Sequence, residues 1–331
     1  MPANLPPQYY ELEREFKREQ DPKEKLRLAQ ELLAMMPKHK GTDKLQAELK
    51  AKISKLKLQL ELGQQKHGVR HVPTFDHFER EGAGQAILIG PPNSGKSTLL
   101  ATVTNAHPVV ADYPFATREP LAGMMPFETV SIQLIDTPSI AEDFFESFMV
   151  NLIRQADTVL LVVDVSSLAM MDDMQIIFKL IEEKRIKLVH AIPASIDDPR
   201  FSYKKTLIIA HKALEDDSDN NLKLLHNNFP QFVILPTTIL DDKTILNLKK
   251  AIFDSLGIIR VYTKRIGHEA VMEYPTILPV GGTVEYAAMT IHKDFAQKLQ
   301  FARVWGQARF EGQRVKGDFV LSDGDIVEFH I

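Results

Sequence analysis

The run Gly90-Pro91-Pro92-Asn93-Ser94-Gly95-Lys96-Ser97-Thr98 has the residue types and spacing needed to hold a chain of phosphates. Its glycines let a loop wrap so that backbone N–H groups point inward, and a helix that starts directly after it adds the positive end of its dipole. Lys96 is then placed to reach the outer phosphates, and the Ser97 hydroxyl to ligate Mg²⁺. The context agrees, because Ile87-Leu88-Ile89 reads as a strand entering the loop and Leu99-Leu100 as the start of a helix.

A second apolar run, Ile132-Gln133-Leu134-Ile135, ends on Asp136 and is followed by Thr137-Pro138. A carboxylate there, after such a loop, is positioned to hold the metal through water. Between the two runs lies Ala111-Asp112-Tyr113-Pro114-Phe115-Ala116-Thr117, a polar and aromatic loop whose threonine could close over the terminal phosphate and Mg²⁺. His67, His71 and His77 do not make a metal centre, since Gly68 and Pro73 oppose the helix that would align the first two. Trp305, beside Gly306 and near Arg303, either packs in a small core or stacks on a base. Nothing suggests a Ser/His/Asp triad or a paired-carboxylate hydrolase.

Three segments must carry these residues. From about Gln8 to Lys66 the chain is charged, almost free of Gly and rich in good helix formers. Leu45, Leu49, Ile53, Leu56 and Leu60 form an apolar stripe surrounded by Lys50, Lys52, Lys55 and Lys57, and the break from Met36 to Gly41 predicts a helical hairpin. The lysines are either a solvated face or a contact for RNA or an acidic partner. Residues 67–84 form a linker, which places a first segment at 1–83.

Strand-like runs at Gln85–Ile89, Thr129–Ile135, Thr158–Val163, Leu188–Ile192, Thr206–Ile209 and Phe232–Leu235 then alternate with helical runs at Asp172–Lys184, Asn221–Asn228 and Lys243–Leu256. That alternation predicts a parallel α/β sheet over 84–257. Beyond Gly257, strands at Ile259–Thr263, Thr276–Val280, Ala302–Val304 and Asp325–Phe329 surround one helix, Val284–Ile291. Residues 258–331 therefore read as a small α+β module.

Composition narrows the classes. There is no cysteine, which excludes disulfides and thiol chemistry, and a net charge of −4 argues against a uniformly basic nucleic-acid binder. No secretory signal is evident, and no apolar run approaches the roughly 20 residues that span a bilayer. A soluble, cytoplasmic protein with no membrane partner and no DNA partner is expected.

In order and type, these motifs resemble the Obg-related translation-factor GTPases, most closely the developmentally regulated GTP-binding (DRG) branch. Gly90 to Thr98 looks like the family's first motif, Asp112 to Thr117 like its switch I signature, and Asp136-Thr137-Pro138-Ser139 stands at its Asp-x-Pro-Gly motif. Arg260 to Lys264, Ile291 to Asp294 and Val304-Trp305-Gly306 are similar to the ubiquitin-like TGS domain that ends DRG proteins. The resemblance implies an α/β fold with a P-loop GTPase-like sheet, an N-terminal helical hairpin and a C-terminal TGS domain. It puts Gly90, Asn93, Ser94, Gly95, Lys96, Ser97 and Thr98 around the phosphates of GTP or GDP, and Ser97, Thr117 and Asp136 on Mg²⁺. Lys96 and Thr117 would serve hydrolysis, and Asn93 would help hold K⁺. Ile140 stands where Ras-like proteins keep a water-orienting glutamine, which implies slow turnover.

Departures fall at the base end and after Asp136. The family's Asn-Lys-x-Asp motif appears as His211-Lys212-Ala213-Leu214, so the resemblance leaves His211 and Lys212 as the nucleotide-binding residues at the base end, Lys212 packing over a purine, while the acceptor pair is lost; Glu215 or Asp216 could substitute. Ser139 replaces a glycine, Ala141 to Glu146 replaces a glycine-rich switch II, Pro236-Thr237-Thr238 replaces the Ser-Ala motif, and the stretch from Asp164 to His211 is too short for the DRG inserted subdomain. The expected function is guanine-nucleotide binding with slow Mg²⁺-dependent GTP hydrolysis, with ribosome or RNA contact through the hairpin and the TGS domain and a protein cofactor among the candidate partners. The alternative is a pseudo-GTPase or nucleotide-gated scaffold with relaxed base specificity.

Overall fold

The computed structural model describes Leu12, Phe16, Leu49, Ile53 and residues 22–35, 77–104, 119–196, 198–214, 218–306 and 310–331. The chain divides into two compact units, Met1–Thr74 and Phe75–Ile331. In the first, helix α1 (Pro22–Met35) opens on a proline, where a fixed φ and a missing N–H cost least. Leu28 and Leu32, one turn apart, are buried. Leu32 shares a small cluster with Leu49, against which Leu12, Phe16 and Leu33 pack. Leu49 and Ile53 are helical, whereas the Met36–Gly41 break and the flanking lysines lie outside the described residues.

The second unit contains two sheets. The first runs through β1 (Gln85–Ile89), α2 (Lys96–Val103), β2 (Leu121–Phe127), β3 (Val130–Asp136), α3 (Ser147–Gln155), β4 (Thr158–Asp164), α4 (Met170–Glu183), β5 (Ile186–Val189), β6 (Ser202–His211), α5 (Ser218–Asn228), β7 (Val233–Thr237) and α6 (Asp242–Ser255). Its strand order is β2-β3-β1-β4-β6-β5, with β7 also on β6. All pairs are parallel except β2 with β3.

Covering by helices on both faces explains why β1 and β4 are almost continuously apolar. Alternate residues feed two cores. Ile87, Ile89, Val159, Leu161 and Val163 pack with α3 and α4 through Met149, Leu152, Met174 and Ile177. Leu88, Leu160, Val162, Leu207 and Ile209 pack with α2 and α6 through Leu99, Leu100, Leu248 and Ile252.

Strand β2 carries no clear strand signal in the sequence, because Gly123 and Pro126 weaken it; Pro126 is tolerated because β2 is an edge. Strand β6 starts four residues before the expected Thr206. Its first half, Ser202–Lys205, pairs only with β5, and its second half lies between β4 and β7.

The second sheet has the order β11-β10-β12-β8-β9. It comprises β8 (Ile258–Lys264), β9 (Ala270–Pro279), α7 (Val284–Ile291), α8 (Lys293–Lys298), β10 (Phe301–Trp305), β11 (Gln313–Val315) and β12 (Ile326–His330). Its core joins Ile259, Val261, Leu278, Val284, Ala288, Ala302, Val304 and Val327. Strand β9 begins six residues earlier than expected, through exposed Met272 and Tyr274 on the sheet edge.

Arg260 joins the two sheets. It is 8% exposed; its Nε and Nη2 donate to the two carboxylate oxygens of Asp323 at 3.0 and 2.6 Å, and Nη1 donates to Glu128 at the β2–β3 turn. Its guanidinium lies 4.8 Å from the Phe253 ring centroid and 6.0 Å from that of Phe127. The Tyr262 hydroxyl adds a 2.7 Å hydrogen bond with Thr129. No helix among the described residues is long and apolar enough to cross a membrane.

Candidate functional site

Strand β1 delivers the chain to Gly90 at the carboxyl edge of the sheet, and α2 begins at Lys96. A Cβ on Gly90 would lie 2.2 Å from the Val162 carbonyl oxygen, so only glycine lets the loop pass this close to β4. Gly95 has φ 89°, a left-handed conformation, and a Cβ there would meet the His211 ring at 2.4 Å. No side chain caps α2, and its first turn carries no acid, so its first N–H groups and dipole end suit an anion.

Lys96 folds back over the loop. Its Nζ donates toward the carbonyls of Gly90 (3.2 Å) and Pro91 (2.9 Å) and lies near the hydroxyls of Ser94 (3.4 Å) and Ser139 (3.2 Å). Burial pushes the ammonium down to about 8 from its usual 10.5, against the opposing pull of the nearby Asp136 carboxylate. A cation held in a buried loop by neutral oxygens is electrostatically undercompensated, which favours uptake of an anion.

Asp136 ends β3 fully buried. Its Oδ2 accepts from Ser97 Oγ at 2.5 Å, while Oδ1 has no hydrogen-bond partner among the described residues. Burial raises its carboxyl above the usual range, partly offset by Ser97, Lys96 and the Thr137 backbone. An orphaned carboxylate oxygen beside a serine hydroxyl is a hard-oxygen donor set that fits Mg²⁺.

The chain after β3 is stapled to the loop: Thr137 Oγ1 donates to Leu88 O at 2.7 Å, and Ile140 N donates to Gly90 O at 3.0 Å. Ile140 is 1% exposed and part of the core, so its side chain orients no water. Ser139, read from sequence only as a replaced glycine, also offers its hydroxyl to Lys96. Ser139→Ala is expected to change GTP affinity no more than about threefold, because the Gly90 and Pro91 carbonyls still seat the lysine. Calorimetric titration of the variant measures this, and a change above about tenfold would assign Ser139 a larger part.

At the other end of the carboxyl edge, His211 pairs in register with Asp164 of β4 and Thr237 of β7. It is 3% exposed, with its ring against Gly95. Lys212 takes a left-handed φ of 60°, and its Nζ donates to Asp164 Oδ2 at 2.5 Å. Burial pushes the Asp164 carboxyl up, but the bonds from Lys212 and Ser166 outweigh it and leave it below the usual range. Asp164 was missed from sequence, although it repeats the Asp136 signal of a carboxylate ending an apolar strand.

Leu214, at the end of the His211-Lys212-Ala213-Leu214 run, is 70% exposed. Thus Gly90, Ser94, Gly95, Lys96, Ser97, Asp136 and His211 come together in one group linked by the contacts above. Asn93 is exposed at the loop tip with φ 59°, and Thr98 is half-buried on α2. Thr117, Glu215, Asp216, His67 and His71 lie outside the described residues; His77 Nδ1 sits 2.8 Å from Gln155 Oε1. Trp305 has Lys264 Nζ 4.1 Å from its ring, and Gly312 lies against the indole.

Residues 85–192 match the family described as 50S ribosome-binding GTPase, and residues 259–331 match the TGS domain. An uncharacterized GTP-binding protein of Methanocaldococcus jannaschii is 27% identical over 370 aligned residues, covering 92% of this chain and 91% of that one. Developmentally-regulated G-protein 2 of Arabidopsis thaliana is 26% identical, covering 89% and 88%. Among solved structures, the Schizosaccharomyces pombe YchF GTPase aligns over 76% of this chain and 99% of its own at 13% identity, with a TM-score of 0.48.

Proposed function

We propose that this chain, which belongs to the Obg-type P-loop GTPases with a C-terminal TGS domain, binds GTP and GDP at the loop around Lys96 and hydrolyses GTP slowly. The observation that carries the reading is the buried, undercompensated Lys96 beside the Ser97–Asp136 pair. Lys96 and the N–H groups opening α2 hold the phosphates, with Asn93, Ser94, Gly95 and Thr98 completing the loop. Ser97 and Asp136 would hold Mg²⁺, joined by Thr117, and Asn93 would help hold K⁺. When bound, Mg²⁺ neutralises charge on the outer phosphates.

His211 braces the loop against the sheet at the base end, and Lys212 is fixed by Asp164 for packing on the purine. Turnover is slow because the Ile140 side chain is locked in the core and orients no water. Family membership favours this reading over a non-hydrolysing scaffold. The three-part division at 1–83, 84–257 and 258–331, a cytoplasmic setting, and contact with the ribosome or RNA through the helical segment and the TGS domain complete the proposal.

Titration calorimetry with GTP, GDP and ATP in Mg²⁺ and K⁺ tests it. Guanine nucleotides are expected to bind at least about tenfold tighter than ATP, the discrimination of one good polar contact. Equal affinity for ATP would refute guanine selection, and no binding at all would refute the nucleotide site.

A further inference from the structure

The extension of β6 beyond the main sheet builds a surface that the nucleotide site does not use. On β5, Ile186 and Leu188 belong to the core on the α4 side, so Lys187 and Val189, alternating with them, face the other way. Register places Lys187 opposite Tyr203 and Val189 opposite Lys205, and paired residues in a parallel ladder share a face. Lys187 Nζ lies 4.7 Å from the Phe201 ring centroid and 5.9 Å from that of Tyr203. Tyr203, Lys187 and Lys205 are half-buried, and Lys184 and Arg185 at the turn into β5 are exposed.

Lys184, Arg185, Lys187 and Lys205 form no ion pair among the described residues. Asp198, whose carboxyl feels Lys187, is held by Arg200 at 2.8 Å. Between Lys184 and Lys205 the sequence carries six Lys and Arg against two Asp, in a chain whose net charge is −4. Aromatic rings set among cations that form no ion pair match the chemistry of a single-stranded polynucleotide, whose phosphates take the cations and whose bases stack on the rings. A folded acidic protein would use the cations but not the rings.

We infer that the outer face of β5–β6, formed by Lys187, Phe201, Tyr203 and Lys205 with Lys184 and Arg185 at its rim, binds single-stranded RNA. This extends the RNA part of the proposed function to a surface outside the helical segment and the TGS domain, and it does not depend on nucleotide binding.

The test is fluorescence anisotropy of the full chain with a labelled oligouridylate of about 12 nucleotides, within the site sizes of such surfaces, over a salt series. Lys187→Glu/Lys205→Glu is expected to weaken binding at least about tenfold at 0.1 M salt, and to reduce the slope of log affinity against log salt by about 1.4, roughly 0.7 per lost phosphate contact. The Gln pair should give a smaller loss with the same change of slope. Tyr203→Ala should weaken binding roughly five- to a hundredfold, the range for one stacked base, with the slope unchanged. GTP affinity, measured on the same samples, should not move.

RNA binding that all three variants retain unchanged would overturn this surface while leaving the broader RNA reading in place. Failure of the wild type to bind the oligonucleotide would overturn both. Displacement of the RNA by polyglutamate at equal charge would overturn the RNA assignment in favour of an acidic protein.

Discussion

Lys96→Ala is expected to lower GTP affinity at least about a hundredfold, close to 3 kcal/mol, because it removes two or more charge-assisted bonds to phosphate from a buried site. Titration calorimetry reads this directly, and unchanged affinity would remove Lys96 from the site. The lysine also predicts a pH dependence. With the free protein's ammonium near 8 and phosphates holding it protonated in the complex, binding takes up a proton above that pH. Affinity should fall roughly eightfold between pH 7.5 and 9, a slope that vanishes in Lys96→Ala.

Stability of the nucleotide-free protein should move the other way. Lys96 is depressed in the fold relative to 10.5 unfolded, so between about pH 8 and 10.5 the unfolded chain binds more protons and stability rises with pH. The gain from this one group is about 3 kcal/mol at most. Urea unfolding of wild type and Lys96→Ala over that window isolates it, because the alanine variant should lack the gain. A wild-type profile that matches the alanine variant would mean that the ammonium is not desolvated.

The second large effect is expected at Arg260. Asp323 bonds raise its basicity above the usual value, and the side chain is 8% exposed between two carboxylates and two phenylalanine rings. Arg260→Ala removes the paired bond to Asp323, the link to Glu128 and the ring contacts together. The carboxylates left behind are partly open to water, which puts the cost at about 2–3 kcal/mol, below that of breaking a fully buried pair. Lys in its place should rescue little, since an ammonium cannot fork across both Asp323 oxygens. Hydrogen exchange should show lost protection in β8, β12 and the β2–β3 turn; a loss under about 0.5 kcal/mol with protection intact would show that the cluster contributes little.

What was legible in the sequence was what is local. The loop from Gly90 to Thr98, the strand into it and the helix out of it are contiguous, so their chemistry could be read without knowing the fold. The helix expected at roughly Val284–Ile291 is there, and its Thr283 cap is a local feature as well. Strand β2 was not legible, because its Met, Gly and Pro residues owe their strand state to pairing with β3. Ser202–Lys205 is polar and extended only because β5 lies beside it.

The Lys212–Asp164 bond at the site joins residues 48 apart and the Arg260–Glu128 bond between the sheets residues 132 apart, so neither pairing has a local signature. His211 stood in the sequence as a nucleotide-binding residue in the place of an asparagine. Its burial against Gly95 follows from where β6 ends relative to β1 and β4, which is a property of register rather than of the residue.

Strand β3 has its two ends in very different company. Val130 adjoins the turn that Arg260 and Tyr262 grip, and Asp136 closes on Ser97. Seven residues of strand, the last five of them buried, span about 20 Å and do not stretch. They act as a strut with one foot on the C-terminal sheet and the other beside Ser97 at the start of α2. A load that shifts the C-terminal sheet must therefore be absorbed in the Arg260 cluster or arrive at Asp136 nearly undiminished, and the stiffness of that one joint sets the share of each.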